Sequence, residues 1–306
     1  MDLRLRNSVI PAFLTSGDKV VVLSTARKVA PSELEPAIKI LTSWDLKVQL
    51  GQYIFEEDNQ FAGNDIQRLS DIQTALNDPE IKAIFCARGG YGTPRIIDHI
   101  NWDNFVTSPK WVVGFSDVTI LLNAIQNLGI CSLHAPMLLF FNKEEYYPSI
   151  NSLKEYLFGK LSIIKCEHHF LNKNGNAKGI LVGGNLSMIV NSISTSTAFD
   201  PIGKILVLED IDEYLYHIDR MMMHLKRSGV LSLISGLIVG HFTDMKDNVI
   251  PFGENAYEII HRNVQDFNYP ICFGFQVGHS FQNLPIPMGN LIELNVENEG
   301  VQVKFS

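Results

Sequence analysis

Apolar positions in the first 160 residues follow two periods. Continuous apolar runs at 19–24, 46–50, 81–87, 111–113 and 130–133 have the length of buried strands. Between them, Leu34, Ala37, Ile38, Leu41 and Trp44 recur at the three-and-four spacing of a helix face. Ile66, Leu69, Ile72 and Leu76 repeat that spacing, as do Val118, Leu121, Leu122, Ile125 and Leu128, and residues 94–100 suit a short helix. Strands that are apolar throughout and alternate with helices predict a parallel sheet covered on both faces, since only such a sheet buries both sides of each strand.

From 142 to 160 the chain turns polar and aromatic, which predicts a crossing between two domains, 1–160 and 161–306. The second half is richer in strands, at 161–166, 179–182, 204–208, 236–240, 271–275, 291–296 and 301–305. Gly183-Gly-Asn opens a helix there, and Leu215, Ile218, Met222 and Leu225 mark the face of another. The class is α/β throughout.

Open parallel sheets bind ligands beyond the carboxyl ends of their strands. Two loops fall at that edge. After the third strand comes Arg88-Gly89-Gly90-Tyr91-Gly92, whose glycines leave backbone N–H groups uncovered for an oxyanion or a phosphate. Neither G-x-x-x-x-G-K nor G-x-G-x-x-G is present, so a nucleotide loop ranks lower. Arg88 either holds a substrate carboxylate or pairs within its own domain. After the fourth strand comes Gly114-Phe-Ser-Asp, a strand-to-helix turn with Ser116 at the joint and Asp117 as a helix cap. The exposed N–H groups of a helix start favour negative charge there. Val118 stands where a G-x-S-x-G elbow has its second glycine, so the turn departs from the α/β-hydrolase pattern.

Composition narrows the partners. The chain has 306 residues, 46% hydrophobic and 19% charged, with a formal net charge of −8. No Lys/Arg block stands out to neutralise phosphates, which argues against nucleic acid or an anionic membrane and for a small-molecule partner. Cys86, Cys131, Cys166 and Cys272 form no C-x-x-C pair and read as reduced, buried thiols. Basic residues open the chain, but the apolar piece behind them is short and holds Pro11, so a secretory leader is not expected and the cytoplasm is. No apolar run reaches membrane-spanning length. The histidines form no H-E-x-x-H and no Cys/His cluster, so no metal site is expected. Glu209 ends an apolar strand, where a carboxylate is costly without a partner, and His279 follows Gly278 ahead of a proline-stiffened segment. Taken singly, each suits a structural role equally well.

Their order along the chain carries more. Cys86-Ala-Arg-Gly-Gly-Tyr-Gly, Gly114-Phe-Ser-Asp-Val-Thr, Gly183-Gly-Asn-Leu, Ile205-Leu-Val-Leu-Glu-Asp, Tyr216-His-Ile-Asp-Arg-Met and Gly278-His with Leu284-Pro-Ile-Pro-Met-Gly occur in sequence. With these the chain resembles the LD-carboxypeptidase family, which includes the microcin C self-immunity hydrolases. The resemblance spans nearly the whole length. It implies an N-terminal flavodoxin-like domain and a C-terminal β-rich swivelling domain that meet at an interdomain cleft.

By position the resemblance makes Ser116 the nucleophile, His279 the general base and Glu209 the residue that orients the imidazole. It offers the N–H groups of Asp117 and Gly90 as an oxyanion hole, puts Arg88, Gly90, Tyr91 and Asp117 around the substrate, and implies no cofactor and a homodimer. The implied reaction removes the terminal D-alanine from murein tetrapeptides. Hydrolysis of aminoacyl-adenylate analogues is the alternative within the family, and a non-catalytic two-domain binding protein is the rival outside it. The chain departs from the family pattern at Ser24-Thr-Ala-Arg-Lys after the first strand, where Ala-Pro-Ser is usual. It departs again at Phe115 for tyrosine, at Ala135 for glycine and over 194–199.

Overall fold

In chain order the elements are β1 (Lys19–Leu23), α1 (Pro31–Ser43), β2 (Lys47–Leu50), α2 (Asp65–Asn77), β3 (Ile81–Cys86), α3 (Asp103–Thr107), β4 (Trp111–Gly114), α4 (Thr119–Asn127), β5 (Ser132–His134) and α5 (Tyr147–Leu157). The second half adds β6 (Ile163–Cys166), β7 (Gly175–Asn185), α6 (Leu186–Ser192), β8 (Ile205–Ile211), α7 (Leu215–Arg227), α8 (Val230–Leu233), β9 (Gly236–Thr243), α9 (Ala256–Val264), β10 (Ile271–Phe273), β11 (Ile286–Met288), β12 (Leu291–Glu297) and β13 (Gly300–Phe305). This is a computed structural model that describes residues 8–305; the basic start at 1–6 lies outside them. Residues 94–100, expected as one short helix, form two 3₁₀ turns, Thr93–Arg95 and Ile97–His99.

The first sheet runs β11-β5-β4-β3-β1-β2. β1 to β5 are parallel, in the 2-1-3-4-5 order of flavodoxin-type sheets. The order reverses beside β1, so the loops after β1 and β3 flank the topological switch point where ligands of such sheets bind. Every residue of β4 is buried, as its unbroken apolar run requires. Local chemistry fixes the helix starts: Asn64 Oδ1 accepts from Gln67 N at 3.0 Å while Gln67 Oε1 accepts from Asn64 N at 2.9 Å, a capping box that opens α2.

The second sheet, β10-β9-β8-β7-β12-β13-β6, is mixed. Its β7 to β10 side is parallel and its β12, β13 and β6 side antiparallel. One apolar core joins the first sheet to Ile292, Leu294, Val301 and Val303 of the second, and another packs Val182, Leu206 and Leu208 under Ile218, Met222 and Ile259.

The two sheets are stitched together. β11, which the two prolines around Ile286 hide from a periodicity reading, returns from the second half and pairs antiparallel with β5, Ile286 opposite His134 and Pro287 opposite Leu133. Proline is tolerated there because β11 is an edge strand. Ser149 Oγ of α5 donates to Phe281 O at 2.8 Å and accepts from Asn283 N at 3.0 Å. The segment just after His279 is therefore held from both sides by the first half. Ile286 is 1% exposed. Ile286→Ala should lower stability by about 2–5 kcal/mol. A urea unfolding midpoint equal to that of the parent would mean that β11 does not anchor this segment.

Candidate active site

β4 ends at Gly114, and the chain then enters a 3₁₀ turn, Ser116–Val118, before α4. Ser116 has φ +63°, a conformation that costs a side-chain-bearing residue about 1 kcal/mol or more and is typical of functional turns. The missing second glycine is compensated locally. A β-carbon at Gly114 would lie 2.8 Å from Val118 Cγ1, so it is the glycine before the serine that makes room for the valine after it.

Asp117 does not cap α4. Its buried carboxylate accepts from Thr93 N at 2.8 Å, and the Thr93 hydroxyl shares a 2.8 Å hydrogen bond with that of Thr25. Tertiary hydrogen bonding has overridden the local capping preference, and the loops after β1, β3 and β4 become one tied unit. Burial pushes the Asp117 carboxyl above its ordinary range, against the hydrogen bonds from Thr93 and Gly92.

Glu209 lies inside β8 rather than at its end, fully buried. Its Oε2 is 2.7 Å from His279 Nδ1. Burial alone would lower the His279 pKa, but the charge and hydrogen bond of Glu209 outweigh it and hold the imidazole above its usual 6.5. Burial likewise favours the neutral form of Glu209, and the His279 charge and hydrogen bond reverse that, so the carboxyl stays below its ordinary range. The neighbouring Asp210 shifts the other way, pushed up to about 7 by burial and by the charge of Glu209. Its carboxylate accepts from Asn185 Nδ2 at 2.8 Å and Ser187 N at 2.9 Å.

The His279 ring packs on Phe115, the residue before Ser116, with centroids 4.7 Å apart. His134 packs on the same phenylalanine, with centroids 5.5 Å apart. Burial pushes His134 down to about 4, so it is neutral near pH 7. Gly278 (φ +108°) has no room for a side chain, because a β-carbon there would lie 2.6 Å from Glu209 Cβ. The imidazole can thus sit flush against the carboxylate.

A cavity of about 480 Å³ brings Ser116 and His279 together, with Gly90, Asp117, Asp210 and Asn185 among its walls. Arg88 lines it too, with Nη1 donating to Lys28 O at 3.1 Å. Tyr91 does not line it; the exposed ring packs towards Phe61, centroids 6.3 Å apart. Arg27 is a wall residue that sequence reasoning passed over, although it follows β1 at the same sheet edge as Arg88 and Ser116. Among the described residues no group of three or more His, Cys, Asp or Glu is arranged to hold a metal ion, and no helix is long and apolar enough to cross a membrane.

A serine in a strained strand-to-helix turn, sharing a cavity with a carboxylate-bound imidazole, is the arrangement of a covalent hydrolase. Residues 19–135 match the LD-carboxypeptidase N-terminal domain and residues 178–294 the LD-carboxypeptidase C-terminal domain. The chain belongs to the LD-carboxypeptidase family. It is 33% identical over 294 residues to the Bacillus subtilis protein described as "Probable murein peptide carboxypeptidase", covering 93% of this chain and 91% of that one. The crystal structure of muramoyltetrapeptide carboxypeptidase from Oxalobacter formigenes superposes with a TM-score of 0.87 at 27% identity, over 94% of this chain and 98% of that one. The microcin C7 self-immunity protein MccF superposes with a TM-score of 0.86 over 97% of this chain and 98% of its own, at 19% identity, a likeness of fold alone.

The electrostatics yield a check that needs no substrate. In an NMR titration the His279 ring should change protonation above the ordinary 6.5. In Glu209→Gln the carboxylate charge goes while the burial stays, so the midpoint should fall. An unmoved midpoint would mean that the carboxylate does not govern this imidazole.

Proposed function

We propose that this chain is a serine peptidase that releases the terminal D-alanine of murein tetrapeptides in cell-wall recycling. The observation that carries the reading is the 2.7 Å contact between His279 Nδ1 and Glu209 Oε2 in a cavity shared with Ser116. With Nδ1–H committed to an ionised carboxylate, the Nε2 lone pair is left for the serine proton. Ser116 Oγ attacks the carbonyl carbon of the scissile peptide bond as its proton passes to His279 Nε2. The C–N bond of the tetrahedral intermediate then breaks, and that proton goes to the amine of the departing D-alanine. Water, deprotonated by the same imidazole, releases the shortened peptide from the serine. The N–H groups of Asp117 and Gly90 are assigned to the oxyanion and Arg88 to a substrate contact, while Tyr91, outside the cavity walls, is given none.

In this reading residues 1–160 supply the nucleophile and 161–306 the acid and base. The reading includes a cytoplasmic location, expected from the sequence, and a homodimer, expected from the family resemblance. The murein reading is favoured over aminoacyl-adenylate analogues because the murein-directed relatives are the more similar in sequence, 33% and 27% against 19%.

Mass spectrometry of a murein tetrapeptide incubated with the protein should show loss of one alanine. Ser116→Ala should keep the circular dichroism spectrum and lower the rate by about 10⁴–10⁶-fold, since triad members act as a unit. Near-parental release by that variant would refute the mechanism. The acid limb of kcat/KM should lie above the ordinary imidazole value, because His279 must lose its proton to act as a base and Glu209 opposes that loss.

A further inference from the structure

The formally charged side chains that line the cavity are nearly all engaged within the protein. Asp117 is held by Thr93, Asp210 by Asn185 and Ser187, Asp212 by Lys246 and Glu213 by His217. His279 is held by Glu209, and Arg88 by the Lys28 carbonyl. The other cations around these loops are committed as well: Arg68 and Arg95 both pair with Asp65, and Lys28 with Glu57. Arg27 is the exception, with no side-chain hydrogen bond or ion pair to any described residue.

Arg27 is exposed, but its backbone and stem are placed by the glycine loop. Arg27 N donates to Gly89 O at 3.3 Å, and its stem lies directly over Gly90, where an added β-carbon would come within 2.4 Å of Cδ and 2.8 Å of Nε. The preceding glycine faces the nucleophile: a β-carbon at Gly89 would lie 3.2 Å from Ser116 Cβ and 3.3 Å from its Oγ. Of two successive glycines, one thus packs against the serine and the next against the arginine stem. The step between successive α-carbons is about 3.8 Å, and roughly the same distance separates the carbonyl carbon of a scissile peptide bond from the carboxylate carbon of the residue leaving beyond it. An enzyme that removes a single terminal residue needs a cation at that offset, and guanidinium is the group whose paired donors fit a carboxylate.

We infer that Arg27 is the anchor for the free α-carboxylate of the residue that leaves, and so the determinant that makes the site an exopeptidase; this rests on the peptidase reading above.

The test compares kcat/KM on a murein tetrapeptide with that on the same peptide amidated only at its terminal carboxylate, so that any other carboxylate of the peptide is unchanged. The parent should prefer the acid by about 10- to 100-fold, the range of a charge-assisted pair. In Arg27→Gln that preference should collapse toward one, mainly through KM on the acid, and Arg27→Lys should restore part of it by keeping the charge without the fork. Several results would overturn the anchor while leaving the peptidase reading standing. They are an equal loss on acid and amide in Arg27→Gln, no loss on either, or collapse of the preference in Arg88→Gln instead. A parent protein that releases no alanine from the acid would remove the peptidase reading and the anchor with it.

Discussion

A single buried hydrogen bond between a carboxylate and an imidazole organises this molecule. Glu209 has no exposure at all and His279 little, so neither would tolerate its charge in that place without the other. Removing one partner of such a pair typically costs about 3–5 kcal/mol. The surroundings are shaped to the contact. Gly278 leaves the gap that the carboxylate fills, Thr243 Oγ1 donates to the His279 carbonyl at 2.7 Å, and Asn283 Oδ1 accepts from Gly278 N at 3.0 Å. Adjacent carboxyls at 209 and 210 are driven apart, one held below its ordinary range by the imidazole against its burial and the other raised by burial and by its charged neighbour. Opposite shifts in one site are the usual mark of a division of labour.

Glu209 sits on a strand of the second sheet, His279 in the loop between β10 and β11, and Ser116 in the turn after β4 of the first, so the proposed chemistry depends on how rigidly the two sheets are joined. Besides the shared apolar core, three contacts near the site join them. β11 adds a strand to the first sheet, Ser149 grips the 281–283 segment, and Asn185 N at the end of β7 donates to Thr119 Oγ1 of α4 at 3.1 Å. The last of these ties the start of the helix behind Ser116 to the strand beside β8. Phe115 completes the arrangement by packing its ring against both His134 and His279.

Much of this was legible in the chain. The parallel sheet followed from apolar runs with no polar face, and the serine turn from a strand period meeting a helix period at Gly114. Elements that draw their stability from distant partners were not legible. β11 is a three-residue strand with proline at its centre, and it exists because β5 offers an edge. α9 went unmarked although Asn255 and Glu258 form a capping box visible in the sequence, a signal overlooked in favour of the apolar strand that follows. Glu209 read as a strand end because a carboxylate inside a buried strand is improbable until the imidazole is known. Asp117 was given a local cap when its partner lies 24 residues away. Arg27 is exposed, as an arginine in a polar loop is expected to be, and only the fold shows its stem lying across Gly90.

The central claim is that His279, steadied by Glu209, activates Ser116 across the join between the sheets. Reaction with a fluorophosphonate, followed by intact mass and peptide mapping, tests it most directly. The account predicts one adduct, on the peptide containing Ser116, with labelling that all but disappears in His279→Ala. Labelling of Ser116 at an equal rate in His279→Ala, or a Ser116 left untouched by excess probe, would contradict it.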